Sequence, residues 1–286
     1  MLVNGGGGVR ELSVGEVGEA VEALLKRAAT HLPEDYLVAL ERAAFEESSE
    51  LGRSVIAMLL DNARYAEREG MPTCQDTGMA VLRLEVGQEV HFGGGDLNEA
   101  LGEAVRGAYR ELRKSVVRDP LQRENSGDNT PPLVHYEIVP GNRVTITALM
   151  KGFGAELMSR LGMFPPSVGA GGVKRFVLET VEQAGPNACP PVIVGVGLGS
   201  SFDGVAYLAK RALMRPLGTP NEAPHLAALE AELLTAVNAL GVGPQGFGGR
   251  VTALAVHIES YPTHIAALPV AVNLNCSAPR RATVVL

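Results

Sequence analysis

The sequence has no run of about 18 apolar residues, so no segment reads as a membrane span. It has no excess of positive charge. Its 25 Lys and Arg stand against 32 Asp and Glu, a net charge of -7. A nucleic-acid binder needs a basic face, which this balance argues against. A small anionic substrate stays open, because a pocket can be basic inside an acidic protein. The opening "MLVNGGGGVRELSV" lacks the basic start and apolar core of a secretory signal, so the expectation is a cytoplasmic protein. Its Gly5–Gly8 run reads as a flexible lead-in. Cysteine is scarce: Cys74, Cys189 and Cys276 are the whole set. An odd number outside a secretory context makes a poor disulfide framework. There is no CxxC, no internal repeat and no low-complexity linker.

What is present is the composition of a well-cored globular chain, 46% hydrophobic and 20% charged, rather than a disordered one. Its 286 residues suit one large α/β domain or two lobes sharing a core, and no clean boundary divides 1–286.

The N-terminal quarter has helical spacing. "SVGEVGEAVEALLKRAATHL" repeats apolar residues every three or four positions, with Ser13 as its N-cap. "PEDYLVALERAAFEE" opens on a proline and two acids. "RSVIAMLLDNARYAEREG" stops at Gly70, a C-cap residue. "MAVLRLEV" alternates like a strand. "NEALGEAVRGAYRELRKSVV" returns to helical spacing, which places Arg113 on an amphipathic helix. "DPLQRENSGDNTPP" is turn chemistry throughout. "LVHYEIV" and "RVTITALM" read as a hairpin joined at "PGN". Further on, helical and strand patterns alternate up to "LPVAVNLNC". The expected fold is α/β with α+β character: a mixed β-sheet covered by helices, with a helical N-terminal segment.

"GVGLGSSF" invites a dinucleotide-binding reading, but its third glycine is missing and no acid stands about twenty residues on. These glycines, like those of "GPQGFGG", read instead as close backbone approaches or tight turns.

All three cysteines fall in loops at strand ends beside Pro, Gly or Asn, where sites assemble. Three thiolates are one short of a closed tetrahedral zinc or cluster site. A cubane cluster held by three cysteines would keep one iron open as a Lewis acid. Three separate buried thiols, or a structural zinc subunit, remain the bland alternatives.

"PTCQDTGM", "GDNTPP", "KGFGAE", "ACPPVIVGVGLG" and "LPVAVNLNC" occur in this order. Together they resemble the motifs of class I, iron–sulfur-dependent fumarate hydratases, specifically the alpha subunit of the two-subunit type. The related L-tartrate dehydratase alpha subunit shares most of them. The resemblance runs from about residue 10 to the C-terminus. It implies a [4Fe-4S] cluster on Cys74, Cys189 and Cys276. It implies substrate contacts from Gln75, Asp76, Arg113, Gly154 and His264, with Asp76 and His264 as catalytic groups. It implies hydration of fumarate to L-malate. A beta subunit would carry the second half of the active site, in an alpha2beta2 assembly or with an alpha dimer. The tartrate relatives lack a lysine at the position of Lys151, which favours fumarate.

The same residues have plainer readings. Gln75 and Asp76 could cap a turn. Arg113 could be a solvated surface residue, though its guanidinium suits a carboxylate bidentately. Arg123 is a weaker second candidate for that task. His264 could be structural or could carry a proton near neutral pH. His135 and His257 lie in strand patterns and read as structural.

Overall fold

The structure is a computed structural model that describes residues 8–286. Gly5, Gly6 and Gly7 of the expected lead-in lie outside the described residues. In chain order, β1 (Arg10–Ser13) leads into α1 (Val14–Thr30), α2 (Glu34–Glu46) and α3 (Glu50–Glu69). β2 (Met79–Gly87), β3 (Val90–Gly93) and α4 (Leu97–Ala108) follow. Next come β4 (Leu133–Val139), β5 (Val144–Lys151), the single turn α5 (Phe153–Glu156) and β6 (Arg160–Phe164). The last third runs α6 (Gly169–Ala184), β7 (Val192–Gly199), α7 (Phe202–Ala212), α8 (Pro224–Asn238), β8 (Ala253–Tyr261), β9 (Leu268–Asn275) and β10 (Arg281–Val285). No described helix is long and apolar enough to cross a membrane.

The chain forms two compact units. The first comprises residues up to His31, Glu69–Lys151 and Arg280–Leu286. Its sheet has the order β10-β5-β2-β4, with β2 parallel to β4 and antiparallel to β5. Ala80, Leu82, Leu84, Ile146 and Ala148 alternate onto one face, where α1 and α4 cover them with Val21, Leu25, Leu101 and Val105. The other face is mixed, with Val81 and Leu149 buried and Arg83, Glu85 and Glu137 charged. There Arg83 bridges Glu85 at 2.8 Å and Glu137 at 2.6 Å. Ser13 caps α1 as expected, in a full capping box with Glu16.

The hairpin expected between "LVHYEIV" and "RVTITALM" does not form. Both segments are strands, but β2 lies between them and pairs with each. The turn that joins them holds the end of β2 instead. Gly87 N–H donates to Arg143 and Gln88 N–H to Val139, each at 2.8 Å. A Cβ at Gly87 would stand 2.3 Å from the Gly141 oxygen, so that residue must be glycine.

The second unit comprises Leu32–Arg68 and Gly152–Pro279. Its sheet has the order β6-β9-β7-β8, with β7 parallel to β8 and antiparallel to β9. Val192, Val194 and Val196 face α6 and α8. Ile193 faces Tyr36, Leu40, Ile56 and Leu60 of α2 and α3. Gly195 and Gly197 face α7, where a Cβ would lie 2.3 Å from Ala209 O and 2.2 Å from Val205 O. Gly195 and Gly197 therefore serve helix–strand approach, and Gly199, at φ +82°, serves the turn after β7, the uses expected in place of a dinucleotide fingerprint. The mixed α/β class with a helical N-terminal segment is what the structure shows.

Candidate active site

Each cysteine sits where a strand meets a loop. Cys74 lies between the end of α3 and β2, Cys189 just before β7 and Cys276 just after β9. None of the three is in a disulfide; Cys189 is exposed and the other two half-buried.

On the first unit, "PTCQDTG" is pinned at both ends. Gly70 takes φ +64° after α3, the left-handed geometry that stops a helix. Thr73 N–H donates to Ala29 O at 2.9 Å. Cys74 Sγ lies 3.6 Å from Gln75 Oε1. Asp76 Oδ1 accepts the Gly78 amide at 2.9 Å, so the plain turn-capping role is real. That role does not exhaust the residue. Gln75 and Asp76 also line an open cavity of about 330 Å³ with Arg113, Lys114 and Ser115.

Arg113 is not on a helix. α4 ends at Ala108, and residues 113–116 form a loop held by tertiary hydrogen bonds. Thr77 Oγ1 donates to Arg113 O at 2.8 Å and, its proton used, accepts from Ser115 Oγ at 2.9 Å. Asn129 Oδ1 accepts Ser115 N–H at 2.6 Å and Val116 N–H at 3.1 Å. Asn129 Nδ2 donates to Arg113 O at 2.9 Å. Lys114 Nζ turns back onto the carbonyls of Tyr109, Arg110 and Leu112, closing the helix end. These bonds replace the helical ones that the local pattern favoured. No ion pair among the described residues involves the Arg113 guanidinium, which is exposed.

Beneath this loop Tyr109 is fully buried and its hydroxyl donates to Thr77 O at 3.2 Å. Burial raises its pKa far above the phenol range; Arg280 opposes this and Asp76 adds to it. Asp128 of "GDNTPP" accepts from the Thr130 hydroxyl at 2.7 Å and its amide at 3.1 Å, and pairs with Arg106. Its pKa falls to about 2, chiefly through the Thr130 hydroxyl. Arg123 lies on an exposed turn and does not line the cavity.

On the second unit, β7 and β9 run antiparallel, with Ile193 opposite Asn275. The residues just beyond this pair carry Cys189 and Cys276 to one end of the sheet. Ser277 N–H donates to Cys189 O at 3.0 Å. Tyr36 Oη donates to Ser277 O at 2.6 Å. Burial first, and the Cys276 thiol second, hold the Tyr36 phenol well above its usual pKa, so it remains a donor. Gly154 on α5 has only ordinary space beside it, 3.6 Å from a built Cβ to Asn187 O.

His264 lies in the loop between β8 and β9, with Nδ1 accepting the Ala266 amide at 3.2 Å. This places the proton of a neutral ring on Nε2. The 8 residues of β9, roughly 25 Å at ~3.3 Å each, separate this loop from Cys276. His257 is buried and its Nδ1 hydrogen-bonds Ala212 O at 3.2 Å, a structural role.

Two residues escape sequence reading. Gln245 bonds to Pro190 and Ser277. Arg280 is 2% exposed and its Nε has no hydrogen-bond partner. A glutamine in a glycine-rich turn and one arginine of an "RR" pair carry no local signal of either.

The donor set suits iron–sulfur chemistry. It consists of soft thiols, none in a disulfide, on strand-end loops with partial solvent access. Among the described residues no three His, Cys, Asp or Glu side chains converge as a single-ion site.

On the first unit a thiol is followed by an amide and a carboxylate, and an exposed guanidinium lines the same cavity, a set of groups that suits a small acid. The sequence profile of the fumarate hydratase (Fumerase) family matches residues 18–285, and the chain belongs to that family. It is 40% identical to a Methanocaldococcus jannaschii protein whose name assigns it provisionally as L(+)-tartrate dehydratase subunit alpha; the match covers 93% of this chain and 96% of the other. It is 35% identical to the L(+)-tartrate dehydratase subunit alpha of Escherichia coli O157:H7, over 97% of this chain and 93% of the relative.

Proposed function

We propose that this chain is the cluster-bearing subunit of a cytoplasmic hydro-lyase that reversibly hydrates fumarate to L-malate. The observation that carries the reading is the cavity on the first unit. There an unpaired Arg113 guanidinium faces the same space as Gln75 and Asp76, directly after Cys74. A guanidinium fork binds a carboxylate through two charge-assisted hydrogen bonds. Lys114 is tied to backbone carbonyls, so Arg113 is the cation left for that task.

Cys74, Cys189 and Cys276 are the proposed ligands of one [4Fe-4S] cluster. When bound, such a cluster supplies a Lewis-acidic iron that makes a hydroxyl a better leaving group. Gln75 orients the substrate hydroxyl through its amide. Asp76, braced by Gly78, takes a proton from the attacking water in hydration and returns it to the departing hydroxyl in dehydration. Gly154 presents backbone without a side chain in the way. His264 is the second proton carrier. Because β9 separates it from Cys189 and Cys276, its contact with substrate held at those residues comes from another chain of an alpha dimer or alpha2beta2 assembly.

Dehydration of malate also needs a base for the C3 proton and charge to stabilise the resulting carbanion-like carboxylate. Both are assigned to a beta subunit, in keeping with the relatives' names as alpha subunits. A second reading, L-tartrate dehydration, is favoured by the substrate in those names. The family resemblance at Lys151 of "KGFG" is what weighs toward fumarate.

The test is anaerobic co-expression with a beta-type subunit, then steady-state rates on L-malate, fumarate and L-tartrate. The expected result is fastest turnover of malate and fumarate, with little activity in this chain alone. Arg113→Gln should raise KM by roughly a hundredfold, the loss of a charge-assisted bidentate contact. Faster turnover of tartrate would replace the first reading by the second. No lyase activity on any of the three would overturn both.

A further inference from the structure

We propose that Gln245 is a positioning residue that sets the spacing of the Cys189 and Cys276 loops. The inference rests on the reading of those cysteines as cluster ligands. Three segments far apart in sequence meet at this side chain. The Gln245 main-chain N–H and its Nε2 both donate to Pro190 O, each at 2.7 Å. The same Nε2 also donates to Ser277 Oγ at 3.0 Å. Pro190 follows Cys189 and Ser277 follows Cys276, so one amide group ties the residue after one thiol to the residue after the other. The Ser277 N–H to Cys189 O bond closes the ring, and the Tyr36 hydroxyl fixes Ser277 from behind.

The backbone is shaped for this task. Gln245 takes φ 51°, ψ 20°, a left-handed conformation unusual for a side chain of this size. Gly243 and Gly246 on either side have φ +69° and +80°. A Cβ at Gly246 would lie 2.3 Å from Pro186 Cβ, so the turn is seated directly on the 3-10 segment Gly185–Ala188 that leads into Cys189. Glu47, 2% exposed, anchors the far side of this glycine-rich stretch by accepting the amides of Arg250 and Val251. A glutamine kept in a strained conformation, with its amide spanning two ligand loops, acts on the ligands rather than on the core. Partners that orient metal ligands in this way typically change metal affinity ten- to a hundredfold when lost.

The experiment uses the full chain, purified and reconstituted anaerobically with iron and sulfide. Gln245→Met keeps the length and main-chain donor but removes both side-chain bonds. Ser277→Ala removes one of them. Asn238→Ala is the stability control, because Asn238 Oδ1 accepts the amides of Thr252 and Ala253 and its bonds go to this segment rather than to Gln245, Pro190 or Ser277. Measured for each are iron and sulfide per chain, the rate of iron loss to a chelator, the paramagnetic resonance signal after mild oxidation, and the apo unfolding temperature. Wild type should hold about four iron. Gln245→Met should release iron roughly tenfold faster with an altered resonance signal, and Ser277→Ala should fall between the two. Asn238→Ala should lower the unfolding temperature with wild-type iron release. Equal release from Gln245→Met and wild type, or from Gln245→Met and Asn238→Ala, overturns the proposal. A wild-type chain that takes up no iron overturns the cluster reading itself, and this inference with it.

Discussion

Asn129 Nδ2 donates to the backbone carbonyl of Arg113 at 2.9 Å, while the same side chain's oxygen takes the amides of Ser115 and Val116. Asn129 is fully buried and takes φ 63°. The shape of the loop carrying Arg113 thus depends on one asparagine. Asn129→Ala should cost about 2–4 kcal/mol in urea unfolding, since it orphans buried backbone groups and strains a left-handed residue. Asn129→Asp keeps the oxygen contacts and should cost less. Both should raise KM for the dicarboxylate more than they lower kcat. A variant with native KM would show that the loop does not need this brace.

Glu47 accepts backbone amides from Ser49, Arg250 and Val251, with Gly52 and Gly249 leaving room for its carboxylate. Burial pushes its pKa up, but the amide bonds outweigh this and hold it below the ordinary value. Glu47→Gln puts an NH2 donor against N–H donors and should destabilise by ~1–3 kcal/mol. Chemical unfolding at neutral pH measures it.

Asp128 carries a related pH signature. Its folded pKa of about 2 lies below an unfolded value near 3.9, so its contribution is complete above about pH 4. It is lost as pH falls through about 2. Asp128→Asn should therefore be less stable than wild type at pH 7, and the gap should narrow between pH 4 and 2. A constant gap across that range would contradict the assignment.

Arg280 makes no ion pair among the described residues, although its guanidinium is buried. An uncompensated buried charge costs stability. Arg280→Met should leave the unliganded chain unchanged or raise its stability by ~1–3 kcal/mol, read from the unfolding temperature. Strong destabilisation would mean that the guanidinium is compensated.

Serine in place of any one of Cys74, Cys189 or Cys276 should reduce iron per reconstituted chain from about four toward zero. Cys74→Ser is the most informative, since it alone changes the residue beside Gln75 and Asp76. A single variant that retains full iron removes that cysteine from the ligand set.

The sequence by itself determined the elements with strong period and clear punctuation. α1 begins at the capping box of Ser13 and Glu16, α3 stops at Gly70, and β2, β7 and β9 follow their apolar patterns. It also determined that the three thiols lie at strand ends, because helix caps, Pro and Gly mark those ends locally. Only tertiary structure decided the rest. β2 separates β4 from β5, since partner choice in a sheet depends on which edges are free and not on the turn between two strands. Arg113 leaves its helix because buried groups from Thr77 and Asn129 offer its loop better hydrogen bonds than the helix did. Gln245 matters through Pro190 and Ser277, partners that no local pattern can name. Local chemistry marked where the candidate ligands lie, and long-range hydrogen bonds decided how they are held.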